Sequence, residues 1–126
     1  VRILEQQSGG VYPYRIELRP GGTIRALRSD GTITVQVDSA QSVNDDQWHY
    51  VAVFKSGSAF GVAVDTNAAS TTTDTLVGST TLTANGALAG DGFVGTLDEL
   101  ALYEVALTPT QRARRVSAAA ADPVPV

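Results

Sequence analysis

Apolar and polar residues alternate along most of this chain with a period of two, the pattern of half-buried β-strands rather than of helices. From Tyr12 to Leu18, Tyr14, Ile16 and Leu18 share one face while Arg15, Glu17 and Arg19 take the other, and Pro20-Gly21-Gly22 closes a turn. Thr23 to Ser29 predicts a second strand, Asp30-Gly31 a tight hairpin turn, and Thr32 to Val37 a third strand with Ile33, Val35 and Val37 on one face. Together these predict an antiparallel meander with one wet face. Ser39 to Gln47 reads as a polar loop. Trp48 to Lys55 is apolar on both faces and so predicts a central strand, and Phe60 to Asp65 alternates again beyond Ser56-Gly57-Ser58.

Thr66 to Thr75 reads as loop with room for a ragged edge strand, Leu76 to Thr83 as a strand, and Ala84 to Asp91 as a Gly-rich loop. Gly92 to Tyr103 then predicts the longest strand of the chain. Its parity is inconsistent: Phe93, Gly95 and Leu97 fall on one face, Leu100 and Leu102 on the other. Either a β-bulge at or beside Asp98–Glu99 rotates the strand, or protein covers both of its faces. The predicted core of two face-to-face sheets is Trp48, Val51, Val53, Val62, Val64, Leu97, Leu100 and Leu102. Near the end, Thr108-Pro109-Thr110-Gln111 is a capping-box pattern, which predicts a helix from near Pro109 to near Ala119, stopped by Asp122-Pro123.

The 126 residues suffice for one domain, read as residues 1–121 with a Pro/Val tail or linker over 122–126. A net charge of −4 disfavours nucleic acid, whose phosphates call for clustered Lys and Arg. No apolar run reaches the roughly 18–20 residues that span a bilayer, so no membrane insertion is expected. Cysteine is absent, leaving burial rather than disulfides to hold the sheets.

Candidate chemistry is sparse. Hydrolysis of a glycosidic bond uses two carboxyl groups about 5–9 Å apart, and no two acidic residues here are separated by two positions, the spacing that would put both on one face of a strand. Asp98 and Glu99 are adjacent and point to opposite faces of a regular strand. A lone His49, with no cysteine, offers neither a Cys–His pair nor a metal set, and reads as a satisfied sheet histidine. The ring of Trp48 suits sugar stacking, but its place at the start of a doubly apolar strand predicts core packing. Tyr12, Tyr14 and Tyr103 are the better candidates for a surface aromatic platform. Arg112, Arg114 and Arg115 form a basic cluster that reads as a solvated helix face or as a contact for an acidic neighbour. These residues predict a protein that is not an enzyme.

In this order, Asp46-Gln47-Trp48-His49-Tyr50-Val51-Ala52-Val53-Phe54, Gly92-Phe93-Val94-Gly95-Thr96-Leu97-Asp98-Glu99-Leu100-Ala101-Leu102-Tyr103 and Ala106-Leu107-Thr108-Pro109 resemble the signature of the laminin G-like domain of the concanavalin A-like lectin/glucanase jelly rolls. The likeness runs from about Ile3 to Arg115. It implies an all-β, two-sheet antiparallel jelly-roll sandwich with a short C-terminal helix. The sequence departs from the family at two places. Ala63-Val64-Asp65-Thr66 stands where a Tyr-Val-Asp-Gly turn is usual, which predicts a longer loop, and the family's first strand is missing, which leaves a sheet edge open. On this reading the chain is a fragment of a longer polypeptide, or a neighbour supplies that strand. The resemblance also implies a structural Ca²⁺ at the position of Asp98. The other ligands belong to the missing segment and calcium needs 6–8 oxygens, so Asp98 is expected to bond neighbouring backbone instead, with no cofactor bound.

The same fold carries lectins, hydrolases, adhesion modules and virion parts. The resemblance therefore implies a non-catalytic attachment, recognition or decoration module, binding glycan or cell surface, within a larger extracellular or phage virion (tail or capsid surface) protein. The alternatives are a purely structural interaction domain with no ligand of its own, and the remnant of a glycan-active enzyme. Expected partners are protein neighbours in an assembly, an upstream segment of the same chain, or glycan. The expected location is extracellular or the virion surface.

Overall fold

The alternating segments form ladders in the computed structural model, which describes residues 1–80, 88–89, 92–103 and 105–121. Strands β1 (Arg2–Ser8), β2 (Val11–Leu18), β3 (Thr23–Asp30) and β4 (Thr34–Ser42) run as an antiparallel meander. Strands β5 (Val51–Ser56), β6 (Ala59–Val64) and β7 (Ser70–Thr73) form a second antiparallel sheet in that order. The short β8 (Leu88–Ala89) pairs with β1, giving the first sheet the order β4-β3-β2-β1-β8, and helix α1 (Pro109–Ala121) follows. The result is a two-layer sandwich of antiparallel sheets.

β3 and β4 lie against β6 and β7, and the core sits between them: Ile24, Ala26 and Val35 from the first sheet against Phe60 and Val62 from the second. Phe60, Val62 and Val64 are almost wholly buried, as the alternation of that segment requires. Val51 and Val53 are half-buried and, of the two, pack against this core from the side. On the other face of β6, Gly61 lets the ring of Phe54 close down, since a Cβ there would stand 2.6 Å from Phe54 Cζ. Arg112 of α1 covers that ring from outside, its guanidinium carbon 4.9 Å from the ring centre.

Several expectations are corrected. β4 runs on to Ser42, into the segment read as loop, because Ser39 takes an inner position and satisfies itself there. Its Oγ accepts the Ile24 N–H at 2.9 Å and donates to the Gln41 carbonyl at 2.7 Å. The doubly apolar segment begins its strand at Val51 rather than Trp48 and lies at the edge of its sheet, not the centre. Its two apolar faces are explained by the core on one side and the Phe54–Arg112 contact on the other. Trp48, placed before the strand, is 56% exposed instead of buried. The segment Leu76–Thr80 forms no strand because carboxylates take its backbone donors: Asp74 accepts from Leu76 N–H, and Asp30 from Val77 and Gly78 N–H. Residues 81–83, most of the Gly-rich loop and the Asp122–Pro123 stop lie outside the described residues.

The largest correction concerns Gly92–Tyr103, which makes no ladder; Leu97, Leu100 and Leu102 are 46%, 62% and 67% exposed. Without a ladder no bulge exists, but the chain does change direction at the expected place, with Glu99 at φ 52° in the left-handed region. The conflicting parity gives the reason. A strand with leucines on both faces needs cover on both, and the described residues offer it only the rim of the sandwich.

The capping box is complete. Thr108 N–H donates to Gln111 Oε1 at 2.8 Å, and Gln111 N–H donates to Thr108 Oγ1 at 3.2 Å. Thr108→Ala should cost about 0.5–2 kcal/mol, read as faster amide exchange in the first turn of α1. Phe60→Ala should cost about 3–5 kcal/mol, measured by denaturant unfolding, because its ring fills the contact between the layers.

Candidate functional site

The second sheet overlaps the β3–β4 side of the first, so the inner faces of β1 and β2 continue past it. Leu4, Ile16 and Leu18 therefore line an open cleft of about 250 Å³ together with Val51, Trp48 and the apolar side chains of Phe93 and Leu97. A neighbouring cleft of about 390 Å³ lies along β5, the edge strand of its sheet, and shares Leu4, Ile16, Val51 and Leu100 with the first. Together they make one apolar channel along the open side of the sandwich, roofed by the irregular 92–103 segment.

Three tyrosines from separate elements meet in the second cleft: Tyr14 from β2, Tyr50 just before β5 and Tyr103 from the roof. Phe54 and the buried Arg112 complete its wall. Arg112 donates from Nη1 to the Leu107 carbonyl at 2.9 Å, which fixes the guanidinium against Phe54. Arg115 stands over Tyr103 at 5.3 Å from the ring centre. Burial raises the phenol pKa of Tyr14, and burial, followed by like-charge repulsion from Tyr103, raises that of Tyr50, so both stay neutral hydroxyls at ordinary pH.

The rim of the first cleft carries the one histidine of the chain. His49 is held from both sides, Nδ1 to Asp65 Oδ2 at 2.8 Å and Nε2 to Asp45 Oδ1 at 2.7 Å. It is satisfied, as expected, though by carboxylates in a bend and not within a sheet. Hydrogen bonding to Asp45 and then to Asp65 raises the His49 pKa, while bonding to His49 lowers that of Asp45.

The tyrosine platform is divided. Tyr14 and Tyr103 come together, but Tyr12 lies buried on the outer face of the first sheet beneath Arg15, 4.1 Å from the ring centre. Tyr50, their third companion, was not singled out from sequence; it sits in a run of apolar residues, and its role appears only once β5 is an edge. The arginine cluster is divided too. Arg112 is buried, while Arg114 and Arg115 are exposed, Arg115 standing over Tyr103, so only Arg112 departs from a solvated helix face. On the outer face of the first sheet the charges are mutually paired: Glu5 with Arg2 and Arg15, and Arg25 with Asp38.

Asp98 lines the first cleft, and its carboxylate accepts the Glu99 N–H at 2.9 Å. Calcium needs 6–8 oxygens, and among the described residues no three His, Cys, Asp or Glu are grouped to hold a metal. Among the described residues, Asp98 therefore lacks the carboxylate neighbours that a calcium site would draw on.

An antiparallel two-sheet sandwich with a short C-terminal helix defines the protein as a jelly-roll domain. Its family follows from the sequence match: the laminin G model of the concanavalin A-like lectin/glucanases superfamily covers residues 1–111, and the chain belongs to that family. Membership is compatible with carbohydrate binding. No curated protein and no solved structure matches the chain. Among the described residues no helix is long and apolar enough to cross a membrane.

Addition of millimolar Ca²⁺ should leave the melting temperature unchanged, since a ligand raises it only by binding the folded state. A rise of several degrees in differential scanning calorimetry would show a complete calcium site.

Proposed function

We propose that this domain is a non-catalytic recognition module that attaches a larger extracellular or virion protein to glycan, and that it does so through the tyrosine-lined cleft. The observation that carries this reading is the convergence of Tyr14, Tyr50 and Tyr103 beside Arg112 in one open cleft. Sugar rings present apolar C–H faces to aromatic rings and hydroxyls to polar tips, and tyrosine supplies both from one side chain. A fixed guanidinium adds a donor for a sugar hydroxyl or carboxylate. The cleft wall contributes no pair of facing carboxyl groups among its described lining residues, which favours binding over cleavage.

A second reading, an interaction module within an assembly, is supported by the exposed apolar row along the channel rim. Trp48, Leu100 and Leu102 are each more than half exposed there. Such a row is the kind of surface that protein contacts cover. A strand from a neighbouring protein or from an upstream segment would suit it, because β5 is an edge strand that pairs, among the described residues, with β6 alone.

Glycan-array screening should yield specific binding that Tyr14→Ala or Tyr103→Ala weakens about tenfold, the equivalent of about 1.4 kcal/mol, with little change in melting temperature. An array without hits, together with concentration-dependent self-association or capture of a strand-forming segment, would favour the assembly reading instead.

A further inference from the structure

The bend that precedes β5 is held by a contact that only one protonation state can make. Both ring nitrogens of His49 lie within hydrogen-bond distance of a carboxylate oxygen, 2.8 Å from Asp65 and 2.7 Å from Asp45. A neutral imidazole has one N–H and one lone pair. It can donate to one of these carboxylates, and its lone pair then opposes the other. Only the doubly protonated ring satisfies both.

The two arms are not equally anchored. Asp65 ends the β6 ladder: its backbone N–H donates to the Tyr50 carbonyl at 2.7 Å, and its Oδ1 accepts the Tyr50 N–H at 2.9 Å. Its side chain is 33% exposed against 54% for Asp45. Asp45 belongs to the bend itself, where its Oδ1 also accepts the Gln47 N–H at 3.1 Å. The next residue, Asp46, adopts φ 61°, a left-handed conformation uncommon outside glycine that aspartate tolerates better than most residues. The Asp45–His49 contact closes this tight bend. What it positions is Gln47, Trp48 and His49 at the rim of the channel.

We propose that His49 is a proton-operated latch on the mouth of the channel: protonated, it ties Asp45 to Asp65 and sets Trp48 at the rim, and on losing its proton it releases the Asp45 arm and frees the bend. The proton goes to solvent, the remaining N–H stays on Asp65, and the lone pair left on Nε2 turns Asp45 away. The carboxylates facing the ring are Asp45 from its own segment and Asp65 from the end of β6; Asp98, from the roof, lines the same cleft.

The direction in pH follows from the two carboxylates, which raise the His49 pKa above its ordinary value. A group raised on folding stabilises the fold fully below its unfolded value of about 6.5, and that contribution is lost as pH climbs through the raised folded value. The latch is therefore shut in mildly acidic solution and opens on the alkaline side of the usual histidine range. Tyr50 does not interfere, because a phenol ordinarily titrates well above the histidine range and burial moves it further up.

The chain has one histidine and one tryptophan, so each can be followed without ambiguity. The His49 ring C–H resonances report its protonation by NMR, and time-resolved fluorescence anisotropy reports the local motion of Trp48. Expected is a single His49 midpoint above the ordinary histidine value, with Trp48 motion increasing through the same pH interval. Asp45→Ala should lower the midpoint and leave Trp48 mobile at every pH, although His49 still titrates beside it. Should His49→Gln fail to fold, the Asp45→Ala variant, altered only on an exposed bend, retains the test. Trp48 motion that ignores the His49 titration, or an Asp45→Ala protein indistinguishable from the parent, would overturn the latch. The readouts need no ligand, so they stand or fall apart from the glycan-binding reading.

Discussion

The contact of Phe60 and Val62 with Ile24, Ala26 and Val35 is what makes two sheets into one domain. With no cysteine in the chain, no disulfide joins the layers. Apolar burial, at about 25 cal/mol per Å² removed from water, supplies the attraction. Its position has consequences. The patch lies under β3, β4 and β6, so the sheets are pressed together on that side and diverge on the other. The polar ties reinforce the same side. Arg28 bonds the Pro13 carbonyl, Asp74 and Thr80, and Asp30 accepts the N–H groups of Thr32, Ile33, Val77 and Gly78. Those donors, Ile33, Gly78 and Thr32 foremost, hold the Asp30 carboxyl well below the usual carboxylate range. This tie is present above the ordinary aspartate range and is lost only in strong acid.

The open side follows from the closed one. Leu4, Ile16 and Leu18 stay on the inner face of their sheet, but the sheet opposite ends at the edge of β5. The segment 92–103 fills part of the gap with side chains and none of it with a ladder. Its leucines obey two parities, and an edge position can satisfy one. The left-handed Glu99 marks the point where the backbone changes from serving the first set to serving the second. An aromatic cleft and an exposed apolar rim are thus two results of a single offset between the layers.

How much of this was legible in the sequence depends on how local each determinant is. β2, β3, β6 and the capping box were readable because alternation and side-chain-to-backbone capping act within a few residues. The extension of β4 was not, since Ser39 looks like a loop residue until Ile24 supplies its donor from another strand. Trp48 and the Gly92–Tyr103 leucines were assigned to the core on hydrophobicity, which states what a side chain prefers but not whether a partner surface exists. The site followed the same rule. Tyr14 and Tyr103 are legible as exposed aromatics, while Tyr50 and the buried Arg112 become visible only with β5 at a sheet edge and Arg112 of the helix placed over Phe54. Family membership was readable from the order of motifs, and it constrains fold far more tightly than ligand.

One departure from the family pattern links the fold to the latch. Where the usual turn offers a glycine after its aspartate, this chain has Asp65-Thr66, and the left-handed conformation falls on Asp65 itself, at φ 54°. Aspartate tolerates that region better than most residues because its short side chain can bond locally. Here the carboxylate bonds instead across to the strand partner, accepting the Tyr50 N–H with one oxygen and facing His49 Nδ1 with the other. The turn is therefore stabilised by the segment that precedes β5, and that segment is in turn fastened by the turn. Removal of the Asp65 carboxylate would loosen both at once. The conformational demand of a turn without glycine and the protonation of the single histidine are coupled through one side chain, and that coupling sets where the mouth of the channel is rigid.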